Sequence, residues 1–253
     1  MKVAIIVAGA IGGYVGAKLV LAGDDVTFIV RGANFEAIRK NGMKLIMHDG
    51  TEHVASGVKA TNDYAEAGPQ DMVILALKAH QVEAVANDLP KLFGPDTTVV
   101  TMQNGIPYWY FHKYGGALSG SRIHSANPSG LFSEKIPAQR VIGCVVYPAS
   151  ELIAPGVVRH IEGDRFAVGE LDGSISERVT RVSECLSRAR FKAPVLSYIR
   201  AEIWLKLWGN LTFNPTSSPA HSTPVDIYQY PLSRKLAAKY DGLSAGSGAQ
   251  TRH

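Results

Sequence analysis

Lys206, Asn210 and Asn214 recur at every fourth residue of the segment RAEIWLKLWGNLTFN, which begins at Arg200. On an α-helix such residues drift by only about 80° over two turns, so they share one face, and Glu202 extends that face backwards. Leu207, Trp208 and Leu211 point elsewhere and are available for packing. A solvated polar stripe is the competing reading, but Asn is a poorer helix former than the Glu, Gln or Lys that ordinarily fill one. A lysine among uncharged amides suits a polar substrate. The ammonium can hand a proton to an alkoxide while the amides bind hydroxyl and carbonyl groups.

A second constellation opens the chain. The apolar run VAIIV (3–7) leads through Val7, Ala8, Gly9, Ala10, Ile11 and Gly12 into a helical pattern. Strand, tight turn and helix N-terminus are the setting of a dinucleotide fingerprint, in which backbone N–H groups and the helix dipole face a pyrophosphate. Gly9 lets the backbone approach the ligand, and Gly12 lets helix and strand pack closely. Val7 stands where the motif has its first glycine. Valine is poor at a tight turn, so an altered or weakened phosphate loop is expected. Arg31 ends the second strand roughly 20 residues later, where an NAD site has Asp or Glu. Arginine there suits a 2′-phosphate through charge-assisted hydrogen bonds and favours NADP. Lys78 follows MVILAL (72–77) and Asn104 follows TTVVTM (97–102), both at carboxyl ends of strands, where open α/β sheets bind ligands. Lys78 could face cofactor phosphates or a substrate carboxylate. Asn104, before Gly105, is either an Asx turn or a group beside the nicotinamide.

The elements that must position these residues alternate. Strands are expected at 3–7, 25–30, 72–77 and 97–102, with helices over 10–22, 34–40 and 80–92 between them, and a hairpin at 43–48 and 51–55 around Asp49-Gly50. This βαβ order predicts an α/β fold with a Rossmann-type doubly wound sheet. Residues 105–140 read as an irregular excursion. Strands return at 141–147, 157–161, 165–169 and 194–197, with a helix over 175–190, and from 199 to about 239 the pattern is helical. The expected organisation is a dinucleotide-binding domain over 1–196, a smaller all-helical domain over 197–240, and a disordered tail over 241–253 that has lost apolar periodicity.

The 253 residues are 46% hydrophobic and 19% charged, as in a globular chain. Of the net charge of +4, residues 234–253 supply +3, from Arg234, Lys235, Lys239 and Arg252 against Asp241. With no basic stripe interleaved with aromatics, nucleic-acid binding has little support. No apolar run reaches membrane-spanning length, and Cys144 and Cys185 lack metal-ligand spacing, so a cytoplasmic protein with reduced thiols and no metal is expected.

Taken together, KVAIIVAGAIGGYVGAKL, Arg31-Gly32, LALKAHQ, TMQNG, VVYPASELIAPGVVRHIEGDRFAVGE and above all EIWLKLWGNLTFNP resemble the ketopantoate reductase (2-dehydropantoate 2-reductase) family, over residues 1–240. The resemblance implies NADPH-dependent reduction of 2-dehydropantoate, or a related small 2-keto acid, to pantoate on the way to pantothenate and coenzyme A. It makes Lys206 the proton donor and gives substrate binding to Asn210 and Asn214. It sets Asn104 against both cofactor and substrate, Arg31 on the 2′-phosphate, Lys78 among the ligand-positioning groups, and Ala149 in the cofactor lining. That family's helical domain extends further and supplies a serine and a glutamate with no counterpart here. GLSAGSGAQTRH departs from its pattern, so the helical domain is expected to be truncated, with a homodimer through it as one way to cover the apolar face left open. Two rivals stand beside this reading: a β-hydroxyacid dehydrogenase-like enzyme, which shares a Rossmann domain and a Lys-x-x-x-Asn pair, and a non-catalytic NADP-binding remnant.

Overall fold

A computed structural model describes residues 1–220, with side chains to Thr212, and beyond them Gln229, Pro231, Leu232, Arg234, Lys235, Leu236, Ala238, Lys239 and Gly242. The expected tail over 241–253 otherwise lies outside the described residues, as does most of the helical stretch after 220. The chain divides into two units, Met1–Ile199 and Arg200–His253.

The first unit is built on eleven strands: β1 (Lys2–Ile6), β2 (Asp25–Ile29), β3 (Met43–Ile46), β4 (Glu52–Ala55), β5 (Lys59–Thr61), β6 (Gln70–Leu75), β7 (Phe93–Thr101), β8 (Val141–Val146), β9 (Ala149–Ala154), β10 (Val157–Glu162) and β11 (Phe166–Gly169). Its helices are α1 (Ala10–Leu21), α2 (Gly32–Asn41), α3 (Tyr64–Ala67), α4 (Glu83–Ala86), α5 (Leu131–Lys135) and α6 (Glu177–Arg188). Seven strands form the main sheet in the order β11-β8-β7-β6-β1-β2-β5, parallel except for β11. The chain winds outward from β1 to β2 and β5, then returns to β6 on the other flank of β1. This is the doubly wound topology, and the β1–β6 boundary is its switch point. Central strands here are buried on both faces, which is why they read as continuous apolar runs: Val3, Ala4, Ile5 and Ile6 of β1 are all fully buried.

A second sheet, β4-β3-β10-β9, covers the outer flank of α1. The β3–β4 hairpin turns where the sequence placed it, with Met43 opposite Ala55 and Asp49 capping the Thr51 N–H at 2.9 Å. Lying between two sheets, α1 is apolar nearly all round. It approaches both through glycines. A Cβ on Gly13 would come within 2.6 Å of Val158 in the small sheet, and one on Gly12 within 3.2 Å of Ile5 in the main sheet.

Four elements differ from expectation. The helix over 80–92 is broken into two short 3₁₀ turns and α4, and Pro90, which lacks an N–H, keeps α4 from continuing into the second of those turns. Residues 194–197 meet β11 in a single bridge, Val195 to Val168, instead of forming a strand; Pro194 can offer only its carbonyl, to the Val168 N–H at 3.0 Å. The short edge strand β5 and the largely exposed β9 escaped the pattern because neither alternates or buries a continuous apolar run. The helix α7 (Ile199–Ala220) starts at the last residue of the first unit and runs through the second as far as Ala220. Among the described residues, no helix is long and apolar enough to cross a membrane, and no cluster of three or more His, Cys, Asp or Glu could hold a metal.

Candidate active site

The carboxyl ends of β1 and β6 lie side by side, with Ile6 opposite Leu75. From β1 the chain enters the glycine turn. Val7 adopts φ = +67°, the left-handed region in which a β-branched residue is an outlier. Its N–H donates to the Ile29 carbonyl at 3.1 Å, tying the turn to β2. Gly9 is the N-cap of α1 with an extended backbone, and no side chain caps the helix. Gly13 N–H is the first to reach an internal carbonyl, that of Gly9 at 2.8 Å. The preceding amides, at Ala10, Ile11 and Gly12, are the orphan donors a helix start leaves open. A Cβ on Gly9 would meet nothing within 4 Å, whereas one on Gly12 would lie 2.3 Å from the Val7 carbonyl. The turn is therefore closed from beneath and open above, as a diphosphate cradle requires.

Arg31 is the exposed N-cap of α2, just past the end of β2. Tyr64, at the head of α3, feels its charge: burial and Asp88 push the phenol up to about 12, with Arg31 opposing. Lys78 is exposed just past β6, in a turn held by Gln81, whose side chain accepts the Lys78 N–H at 3.1 Å. Asn104 is exposed beyond β7. The neighbouring Gln103 donates to the Leu75 carbonyl at 2.9 Å and so locks the exit of β7 to that of β6. Ala149 is half-buried just beyond β8, at the head of β9. The structure thus sets Val7, Ala8, Gly9, Ala10, Ile11, Gly12, Arg31, Lys78, Asn104 and Ala149 along the carboxyl edges of neighbouring parallel strands β2, β1, β6, β7 and β8.

One contact at this edge carried no sequence signal. The Asn34 side chain donates to the Ala8 carbonyl and accepts from the Gly156 N–H, each at 2.8 Å. A bridge between three distant segments leaves no trace in spacing.

In the second unit, Lys206, Asn210 and Asn214 lie on α7, and the Asn214 side chain falls outside the described residues. Glu202, Lys206 and Asn210 are half-buried. The exposed line is apolar: Leu205 at 60%, Trp208 at 43% and Leu211 at 43%. Trp208 and Leu211, which the sequence left available for packing, are thus partly exposed, and Leu207 is half-buried. A polar stripe less exposed than its apolar neighbours does not fit a merely solvated face.

The model for the family described as ketopantoate reductase PanE/ApbA matches residues 3–113. The chain is 50% identical over 238 residues to the 2-dehydropantoate 2-reductase of Mesorhizobium japonicum, covering 94% of this chain and 72% of that one. It spans 61% to 63% of the length of four more distant relatives. A crystal structure from Ralstonia solanacearum MolK2, provisionally named a ketopantoate reductase, superposes with a TM-score of 0.92 at 38% identity, covering 98% of this chain and 76% of that one. The 2-dehydropantoate 2-reductase of Geobacter metallireducens GS-15 gives a TM-score of 0.78 at 26% identity, covering 94% and 71%.

Proposed function

The chain belongs to the ketopantoate reductase family, and from that membership we propose that it is an NADPH-dependent reductase of 2-dehydropantoate or a closely related small 2-keto acid. The observation that carries the coenzyme half of this reading is the open, uncapped start of α1 at the switch point of the sheet. The donors at Ala10, Ile11 and Gly12 fit a pyrophosphate, and the clear space above Gly9 admits it. Arg31 favours NADPH over NADH, since a guanidinium suits a 2′-phosphate where a carboxylate would repel it.

The coenzyme, when bound, supplies the hydride that reduces the ketone carbon. The chain's own residues do the rest. Lys206 gives the proton that turns the developing alkoxide into a hydroxyl. Its charge stabilises that oxygen before transfer. Asn210 and Asn214 offer both donors and acceptors to substrate hydroxyl and carboxylate groups, and Asn104 is the candidate to meet substrate and nicotinamide together. Lys78 supplies a second positive charge for coenzyme phosphate or substrate carboxylate. A homodimer and a cytoplasmic location belong to the same reading.

The test is to follow NADPH absorbance with 2-dehydropantoate, and in parallel NADP⁺ with a 3-hydroxy acid. Reduction of the keto acid is expected. Turnover of the hydroxy acid alone would favour the β-hydroxyacid dehydrogenase reading, and NADPH binding without turnover a non-catalytic one. Lys206→Ala is expected to lower turnover by roughly 10²- to 10⁴-fold while NADPH affinity stays within about two-fold. Wild-type turnover in that variant would remove Lys206 from the mechanism.

A further inference from the structure

Asn34 sits in the first turn of α2 and lies in no motif, yet its amide spans three parts of the fold. Nδ2 donates to the Ala8 carbonyl and Oδ1 accepts from the Gly156 N–H, both at 2.8 Å. Only one orientation of the amide makes both bonds, so its assignment is fixed by its partners. Ala8 is fully buried, between the strained Val7 and the N-cap Gly9.

The Ala8 carbonyl and the Gly9 N–H belong to one planar trans peptide and point in opposite directions. Holding the oxygen inward on Asn34 therefore turns the Gly9 N–H outward. The need for such a hold follows from Val7. A glycine there would enter the left-handed region freely, whereas valine at φ = +67° resists it and presses the turn toward another path. We propose that Asn34 is a positioning residue that holds the phosphate turn in place against the strain at Val7, aiming the Gly9 amide at the coenzyme. Through Gly156, the turn between β9 and β10, that geometry is also tied to the docked small sheet. The proposal rests on the reading that this turn receives the pyrophosphate.

A double-mutant cycle tests it. Asn34→Ala is expected to weaken NADPH binding, followed by fluorescence titration, by about 10-fold, the order of one lost hydrogen bond. NADH should lose by the same factor, since it shares the pyrophosphate. In a Val7→Gly background, the same substitution should cost less than about three-fold, because the turn no longer needs the hold. An equal loss in both backgrounds, or none in either, overturns the proposal. Asn34→Asp keeps an acceptor for Gly156 but sets a carboxylate against the Ala8 oxygen, so its affinity should be no better than that of Asn34→Ala. Hydrogen exchange of the Val7 amide, bonded to Ile29, is read in the coenzyme-free protein. Faster exchange in Asn34→Ala, restored by Val7→Gly, supports the hold even if the wild type binds no coenzyme, an outcome that would sink the functional reading alone. Unchanged exchange with normal coenzyme binding sinks the hold and leaves the functional reading standing.

Discussion

On the proposed function, coenzyme choice turns on Arg31. It lies exposed at the head of α2 and opposes the upward push on Tyr64, so its charge is felt there. Replacing it with alanine should raise the NADPH dissociation constant roughly 10- to 100-fold and change that for NADH by less than about two-fold, the signature of one charge-assisted phosphate contact. Equal losses for the two coenzymes would show that the arginine does not read the 2′-phosphate. Arg31 and the departure at Val7 were both legible in the sequence, because each deviates at a fixed offset within a motif of known mechanics. Asn34 was not. Its partners are Ala8 and Gly156, and no periodicity links residues brought together only by tertiary folding. The polar stripe of α7 was legible through its fourfold spacing, whereas the exposure of Trp208 and Leu211 was not, since spacing gives a face but not what covers it.

At the scale of elements, α6 ends in a Schellman motif. Phe191 N–H donates to the Leu186 carbonyl at 3.1 Å and Arg190 N–H to that of Ser187 at 2.9 Å. The left-handed position of this motif is usually glycine, but here it is Arg190, at φ = +61°. Arg190→Gly should therefore stabilise the protein by about 0.5–1 kcal/mol, read as a higher urea midpoint at unchanged slope. At its other end α6 is capped by Ser176, which accepts the Val179 N–H at 3.2 Å, so the helix boundaries near 175 and 190 were readable. Buried strands were readable for the same kind of reason: they must be apolar throughout. β5 and β9, held by edge pairing with little buried apolar surface, leave too weak a pattern to read.

At the scale of the whole molecule, several acids are held neutral. Burial, with Asp24 beside it, pushes the Cys185 thiol up to about 12, and burial followed by Asp164 does the same for the Tyr14 phenol. Burial likewise raises Tyr64 and Tyr108. Each favours the folded state while it stays protonated. Stability should therefore be level up to about pH 8, where an unfolded thiol of pKa about 8.5 begins to ionise, and fall as pH rises from there through about 12. Urea midpoints between pH 7 and 10.5 check this, and a midpoint that rose with pH would contradict it. The small sheet has a further consequence, for the order in which the chain folds. Its parallel pair joins β3 to β10, with Lys44 opposite Val157, across more than a hundred residues of chain. Closing so long a loop is slow, so α1 and the early strands should assemble while the outer flank of α1 is still wet. During that interval Met43 and the flank of α1 around Gly13 lack the Val158 cover seen in the finished fold. The turn from Val7 to Gly12 would then be the last part to set, and refolding chains would be most prone to aggregate just before it does.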